Sequence, residues 1–146
     1  MMKSLLATLA GLAALLPMAA SAATVEVDLG LTRYPAVRHL DAGSYSGVSE
    51  GRVVVHVGDA VVFVNRDADG HHTASALPGN RFPADPRFTD AALRAGGSIG
   101  PAAWSTGDLA PGMRSQPIVA GSPGTYLYGC FYDYQAGMRG EIVVEP

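Results

Sequence analysis

Cys130 is the only cysteine in this 146-residue sequence. It ends the aromatic run Thr125-Tyr126-Leu127-Tyr128-Gly129-Cys130, and Met138 follows eight residues later. His71 and His72 stand together in mid-chain, shortly after Asn65. A thiolate, an imidazole and a thioether are soft-to-intermediate donors, a set that suits copper passing between Cu(I) and Cu(II). Cys and Met on one loop, with a His from a distant strand, would pin a metal between two elements.

Each of these residues also has a plainer role open to it. A lone cysteine can be a buried inert thiol, half of an intermolecular bridge or a metal ligand, but not a disulfide within its own chain. Successive residues of an extended chain point to opposite faces, so only one of His71 and His72 is expected to turn inward. Met138 can fill an irregular gap in a core. His56 alternates with valines and should face solvent, and His39 has no evident partner. A Cys–His hydrolase is disfavoured, because no Gly-rich nucleophile turn accompanies Cys130. The expectation is therefore a binding or carrier protein and not an enzyme.

The elements that must position these residues read as strands. Thr24–Leu29 alternates apolar and polar side chains. Residues 51–57 and 60–65 are rich in β-branched residues and flank Gly58-Asp59, a pattern that predicts a hairpin. Further strands are expected from Thr73, over 115–120, over 125–130 and over 139–144. Between them, residues 78–112 are rich in Gly, Pro and small polar groups. Apart from a short helical turn at Ala91–Arg94 they read as a long irregular excursion. Many short strands with frequent turns imply an all-β sandwich or barrel.

The chain opens on Met1-Met2-Lys3, an apolar run to Leu16, and small residues through Ala23. This is the pattern of a cleaved secretory signal over residues 1–23, leaving a single domain over 24–146. The apolar run is shorter than the ~18–20 residues that span a bilayer, so the mature chain is expected to be periplasmic or secreted without a membrane span. Of the ten Lys and Arg, Lys3 leaves with the signal, so nine Arg remain against thirteen Asp and Glu. That mild acidity gives no footing for nucleic acid.

Two stretches carry a family resemblance. The run Val57-Gly58-Asp59-Ala60-Val61-Val62-Phe63-Val64-Asn65, followed by a short loop to His72-Thr73, resembles the middle of plastocyanin- and pseudoazurin-like blue-copper proteins, the cupredoxins. Residues 124–130, continued through Ala136-Gly137-Met138-Arg139-Gly140 to Val144, are similar to their last two strands and copper loop. The resemblance implies a Greek-key β-sandwich and a mononuclear copper that carries single electrons to and from a redox protein partner; the protein is expected to be a monomer. It implies four ligands: a mid-chain His, the Cys, a second His three residues after the Cys, and a weak axial Met. Carried over, these give His72, preferred because Thr73 follows it as in many relatives, or His71, together with Cys130 and Met138; Asp133 stands where the second His belongs, either as a further ligand or as a solvated loop carboxylate. The resemblance also implies that Asn65 bridges the two ligand-bearing loops. A copper-handling protein, or a copper-free module that binds other proteins, is the alternative.

Overall fold

A computed structural model describes residues 21–146; the expected signal segment lies outside them except for its last three residues. The chain forms two sheets packed over a common core. One contains β1 (Thr24–Leu29), β5 (Ala60–Asn65) and β9 (Ile118–Val119) in the order β1-β5-β9. The other has the order β4-β11-β10-β6-β8-β7, with β4 Arg52–His56, β6 Ser75–Leu77, β7 Ala95–Gly96, β8 Ser105–Thr106, β10 Gly124–Gly129 and β11 Arg139–Glu145. A small ladder of β2 (Arg38–Leu40) and β3 (Gly43–Tyr45) lies outside both sheets. The architecture is the expected β-sandwich.

The side-chain alternation explains the layering. In β1, Val27 and Leu29 are buried while Thr24 and Glu26 are exposed. In β4, Val53 and Val55 point inward between exposed Arg52, Val54 and His56. Each apolar side chain so removed from water contributes about 1.5–3 kcal/mol before entropy is counted. Between the sheets Phe63 meets Tyr128 edge-on at 5.1 Å, and Trp104 completes the aromatic centre of the core.

The predicted hairpin of residues 51–57 with 60–65 does not form. β4 pairs in parallel with β11, and β5 pairs in parallel with β1. The turn between them is an arch from one sheet to the other, with Val57 N–H donating to Glu145 O and Gly58 N–H to Ala120 O. The strand expected over 115–120 is confined to Ile118–Val119. Pro117 has no N–H to give a ladder, although Ser115 still exchanges hydrogen bonds with Phe63.

The excursion between β6 and β9 is more ordered than its composition suggests. β7 and β8 extend the larger sheet at its edge, and a 3-10 turn spans Asp90–Leu93 with Thr89 as its cap. Leu109 exchanges two backbone hydrogen bonds with His72, at 2.9 and 3.0 Å. At the excursion's other end, Pro83 O accepts from the Tyr134 hydroxyl at 2.7 Å. The segment is therefore fastened to both chain stretches that carry the candidate ligands.

Tyr128 offers a test of the core. Its hydroxyl is fully buried without a hydrogen-bond partner among the described residues, and burial raises its pKa. It sits over Gly140, where a Cβ would come within 2.5 Å of the oxygen. An unsatisfied buried hydroxyl costs about 1–3 kcal/mol, so Tyr128→Phe is expected to leave stability unchanged or raise it by about 1 kcal/mol in urea denaturation. A loss of more than about 1 kcal/mol would show that the hydroxyl is satisfied in solution.

Candidate metal centre

Two stretches of chain meet at one end of the sandwich. The first leaves β5 at Asn65 and runs to His72; the second is the β10–β11 hairpin loop, residues 130–138. His72 is fixed by its ladder to Leu109. The hairpin loop is closed by Cys130 N–H donating to Met138 O at 3.0 Å and by Met138 N–H donating to Asp133 O at 3.2 Å. A 3-10 turn, Tyr134–Ala136, fills the loop and ends on Gly137 at φ 99°, a left-handed conformation that costs a glycine little. Outside the loop, Ser46 N–H donates to Gly137 O and its hydroxyl to Ala136 O, so the end of β3 braces the hairpin.

These constraints bring together three donor atoms. His72 Nδ1 lies 3.0 Å from Asp133 Oδ2 and 3.9 Å from Cys130 Sγ, and the sulfur lies 3.8 Å from the same carboxylate oxygen. His72 and Cys130 are buried, whereas the Asp133 side chain is 28 % exposed and forms the solvent side of the group. The centre of a circle through three points with these separations lies about 2.1 Å from each, close to the ~2.0–2.3 Å of metal–nitrogen, –oxygen and –thiolate bonds. A thiolate with an imidazole and a carboxylate is a donor set that accepts copper. The residues present fit the ion.

Met138 is fully buried at the far end of the same loop, its backbone paired to that of Cys130. Its methyl passes close to Gly47, where a Cβ would approach to 3.2 Å. Gly47 has φ +70°, so its lack of a side chain serves both the turn and the space Met138 occupies. His71 is placed differently from His72: its ring is half exposed, with Nδ1 at 2.8 Å from Asp108, whose other oxygen accepts from the Tyr132 hydroxyl. It lies on the rim and outside the triangle. His56 is exposed beside Asp59 and Glu145, and His39 is exposed on β2.

Burial pushes the Cys130 thiol up to about 11, despite N–H groups of Thr73, Asp133 and Tyr132 that favour the thiolate. Without metal the sulfur is a neutral thiol at pH 7, and a cation that takes it must displace the proton. Thr73 links the two stretches: its N–H points at Cys130 Sγ from 3.4 Å, and its hydroxyl accepts from Phe131 N–H at 2.9 Å. This is the bridge expected of Asn65. The Asn65 side chain instead donates to Gly70 O and Leu109 O and accepts from Asp67 N–H, which shapes the His loop from inside.

Sequence reading missed Asp67. It is buried, and one of its oxygens lies 2.9 Å from His72 Nε2. Burial alone would raise its carboxyl, but hydrogen bonds from the Thr32 hydroxyl, the His72 ring and the Leu31 and Thr32 amides hold it below the ordinary carboxylate value. The only sequence signal was an acidic residue five positions before a histidine, in a loop where Asp69 looked equivalent.

Sequence comparison matches the chain to no family profile and to no curated protein. Its shape does match solved structures. Auracyanin from Roseiflexus castenholzii aligns with a TM-score of 0.51 at 20 % identity, over 87 % of this chain and 100 % of that one. A purple cupredoxin from Nitrosopumilus maritimus aligns at 0.51 and 17 % identity, over 83 % and 99 %. A proline-to-glycine variant of amicyanin, in its reduced Cu(I) form, aligns at 0.50 and 23 % identity, over 88 % and 87 %. At these identities the comparison defines the fold: the chain has the fold of the cupredoxins.

Proposed function

We propose that this protein is an exported one-electron carrier in which His72, Cys130 and Asp133 would hold a mononuclear copper, with the Met138 thioether as a further, weak donor. The observation that carries the reading is the triangle of donor atoms, whose centre stands at bonding distance from all three. Bound copper would supply a Cu(II)/Cu(I) couple, and the protein's part is to hold the donors still while the charge changes. It does so through the Leu109 ladder on His72, the Thr73 link between the stretches and the Ser46 brace on the hairpin. The fold's solved neighbours include a protein described in a Cu(I) form. The leader-like residues 1–23 support export to the periplasm or beyond. Among the described residues no helix is long and apolar enough to cross a membrane. The partner is a redox protein, and the rim around Asp133, with exposed Tyr132 and half-exposed His71, is the face nearest the metal for it to approach.

One observation favours a second reading. Asp133 is the donor closest to solvent, and a carboxylate at the mouth of the site would ease copper exchange in a copper-handling protein. Purified mature protein loaded with Cu(II) should hold one equivalent and absorb strongly in the visible. Failure to retain copper against dialysis would reject the carrier. Rapid loss to a Cu(I) chelator after reduction would favour handling over electron transfer.

A further inference from the structure

The imidazole of His72 is held from both sides. Nδ1 lies 3.0 Å from Asp133 Oδ2, on the side of the candidate metal position, while Nε2 lies 2.9 Å from Asp67 Oδ2, so a buried and a part-exposed carboxylate face opposite edges of the ring. Asp67 lies inside the protein, only 6 % exposed, and its carboxylate accepts from the Leu31 and Thr32 amides and the Thr32 hydroxyl. Leu31 N–H reaches Oδ2 at 2.8 Å, and Thr32 brings its N–H at 3.2 Å and its hydroxyl to Oδ1. A buried carboxylate is expensive to desolvate, and Leu31 and Thr32 already provide the neutral donors that make it tolerable. Those contacts alone would make Asp67 an anchor for the turn after β1. The imidazole edge is an additional partner, and it belongs to the residue at the centre of the site.

We infer that Asp67 is a positioning residue for the metal centre: it holds the proton of His72 on Nε2, presents Nδ1 as the donor, and places a fixed negative charge behind the ligand. A carboxylate on the far nitrogen orients a ligating histidine and makes its free nitrogen a stronger donor. Stronger donation and nearby negative charge both favour Cu(II) over Cu(I). The inference rests on the copper reading, but part of its test needs no copper.

In the metal-free protein, nitrogen-15 NMR should show His72 with a protected Nε2 proton that exchanges far more slowly than those of exposed His39 and His56. Finding His72 protonated on Nδ1 alone, or with an Nε2 proton exchanging as fast as theirs, would overturn the inference even if wild type bound copper. Conversely, a protected Nε2 proton in a protein that takes up no copper would uphold the contact and reject the carrier. In the copper-loaded protein, Asp67→Asn should lower Cu(II) affinity about 10–100-fold. It should raise the reduction potential by 59 mV for each tenfold loss of Cu(II) preference. Thr32→Val removes a hydrogen bond from Asp67 without touching the His72 contact. It should lower stability and leave the potential near the wild-type value. Equal shifts of potential in Asp67→Asn and Thr32→Val, or no shift in Asp67→Asn, would reduce Asp67 to a loop anchor.

Discussion

Cys130→Ser should abolish visible absorption and remove at least about 100-fold of the copper affinity, while the sandwich still folds. The thiol is the softest donor of the group and the one whose charge transfer to Cu(II) would give colour. It is wholly buried, so a serine hydroxyl in its place has neither the polarisability nor an accessible anionic form. The fold should tolerate the change because the side chains are nearly the same shape. Thr73 N–H keeps an acceptor, and the Phe131 contact to the Thr73 hydroxyl is untouched. Circular dichroism and urea denaturation would check the fold, and isothermal titration with visible spectroscopy would check the site. A serine variant with native copper affinity would return Cys130 to the status of an inert core thiol and remove the centre of the proposed site.

How much of this was legible beforehand depended on how local the determining interaction is. The strands β1, β5, β10 and β11 could be read from side-chain alternation because burial acts residue by residue. The partners of β4 and β5 could not. Gly58-Asp59 between two apolar runs looks the same in a hairpin and in an arch, and the difference lies in β11 and β1, whose ladders claim each strand from far along the chain. The two-residue strands β7 and β8 carry no periodicity at all, and Leu109 reveals its hold on His72 only in three dimensions. In the site, the Cys–Asp–Met spacing within one hairpin placed Cys130, Asp133 and Met138 on a single loop, since a short loop keeps near neighbours near. Opposite facing of successive residues anticipated that His71 and His72 would part but not which would turn inward; in the structure His72 is buried and His71 lies on the rim. What local reasoning could not supply was the partner of the far ring nitrogen. Asp67 and the Leu31–Thr32 turn that holds it come from separate stretches of chain, 35 and 36 residues apart.

Asp133→His should produce the largest gain of any single change: stronger visible colour, tighter copper retention and a higher reduction potential. The carboxylate already faces inward, 3.0 Å from His72 Nδ1 and 3.8 Å from Cys130 Sγ, so position 133 aims its side chain at the shared centre. An imidazole is longer than a carboxylate, but Asp133 is the donor on the open side, where 28 % exposure leaves room for the ring to extend into solvent. The loop needs no rearrangement, because Asp133's structural duty is carried by its backbone carbonyl, which accepts from Ala136 and Met138 N–H. Exchanging an anionic oxygen for a neutral nitrogen removes a hard donor that favours Cu(II), and each tenfold change in relative affinity moves the potential by about 59 mV. The direction is therefore upward, opposite to the influence of the Asp67 charge behind His72. If the wild-type site exchanges copper readily through its carboxylate, the histidine variant should also release the ion more slowly to a Cu(I) chelator. Voltammetry, visible spectra and chelator exchange on both proteins would decide. Unchanged colour, potential and release together would mean that the Asp133 side chain takes no part in holding copper, and the second nitrogen or oxygen donor would have to come from elsewhere on the rim, with His71 the first residue to test.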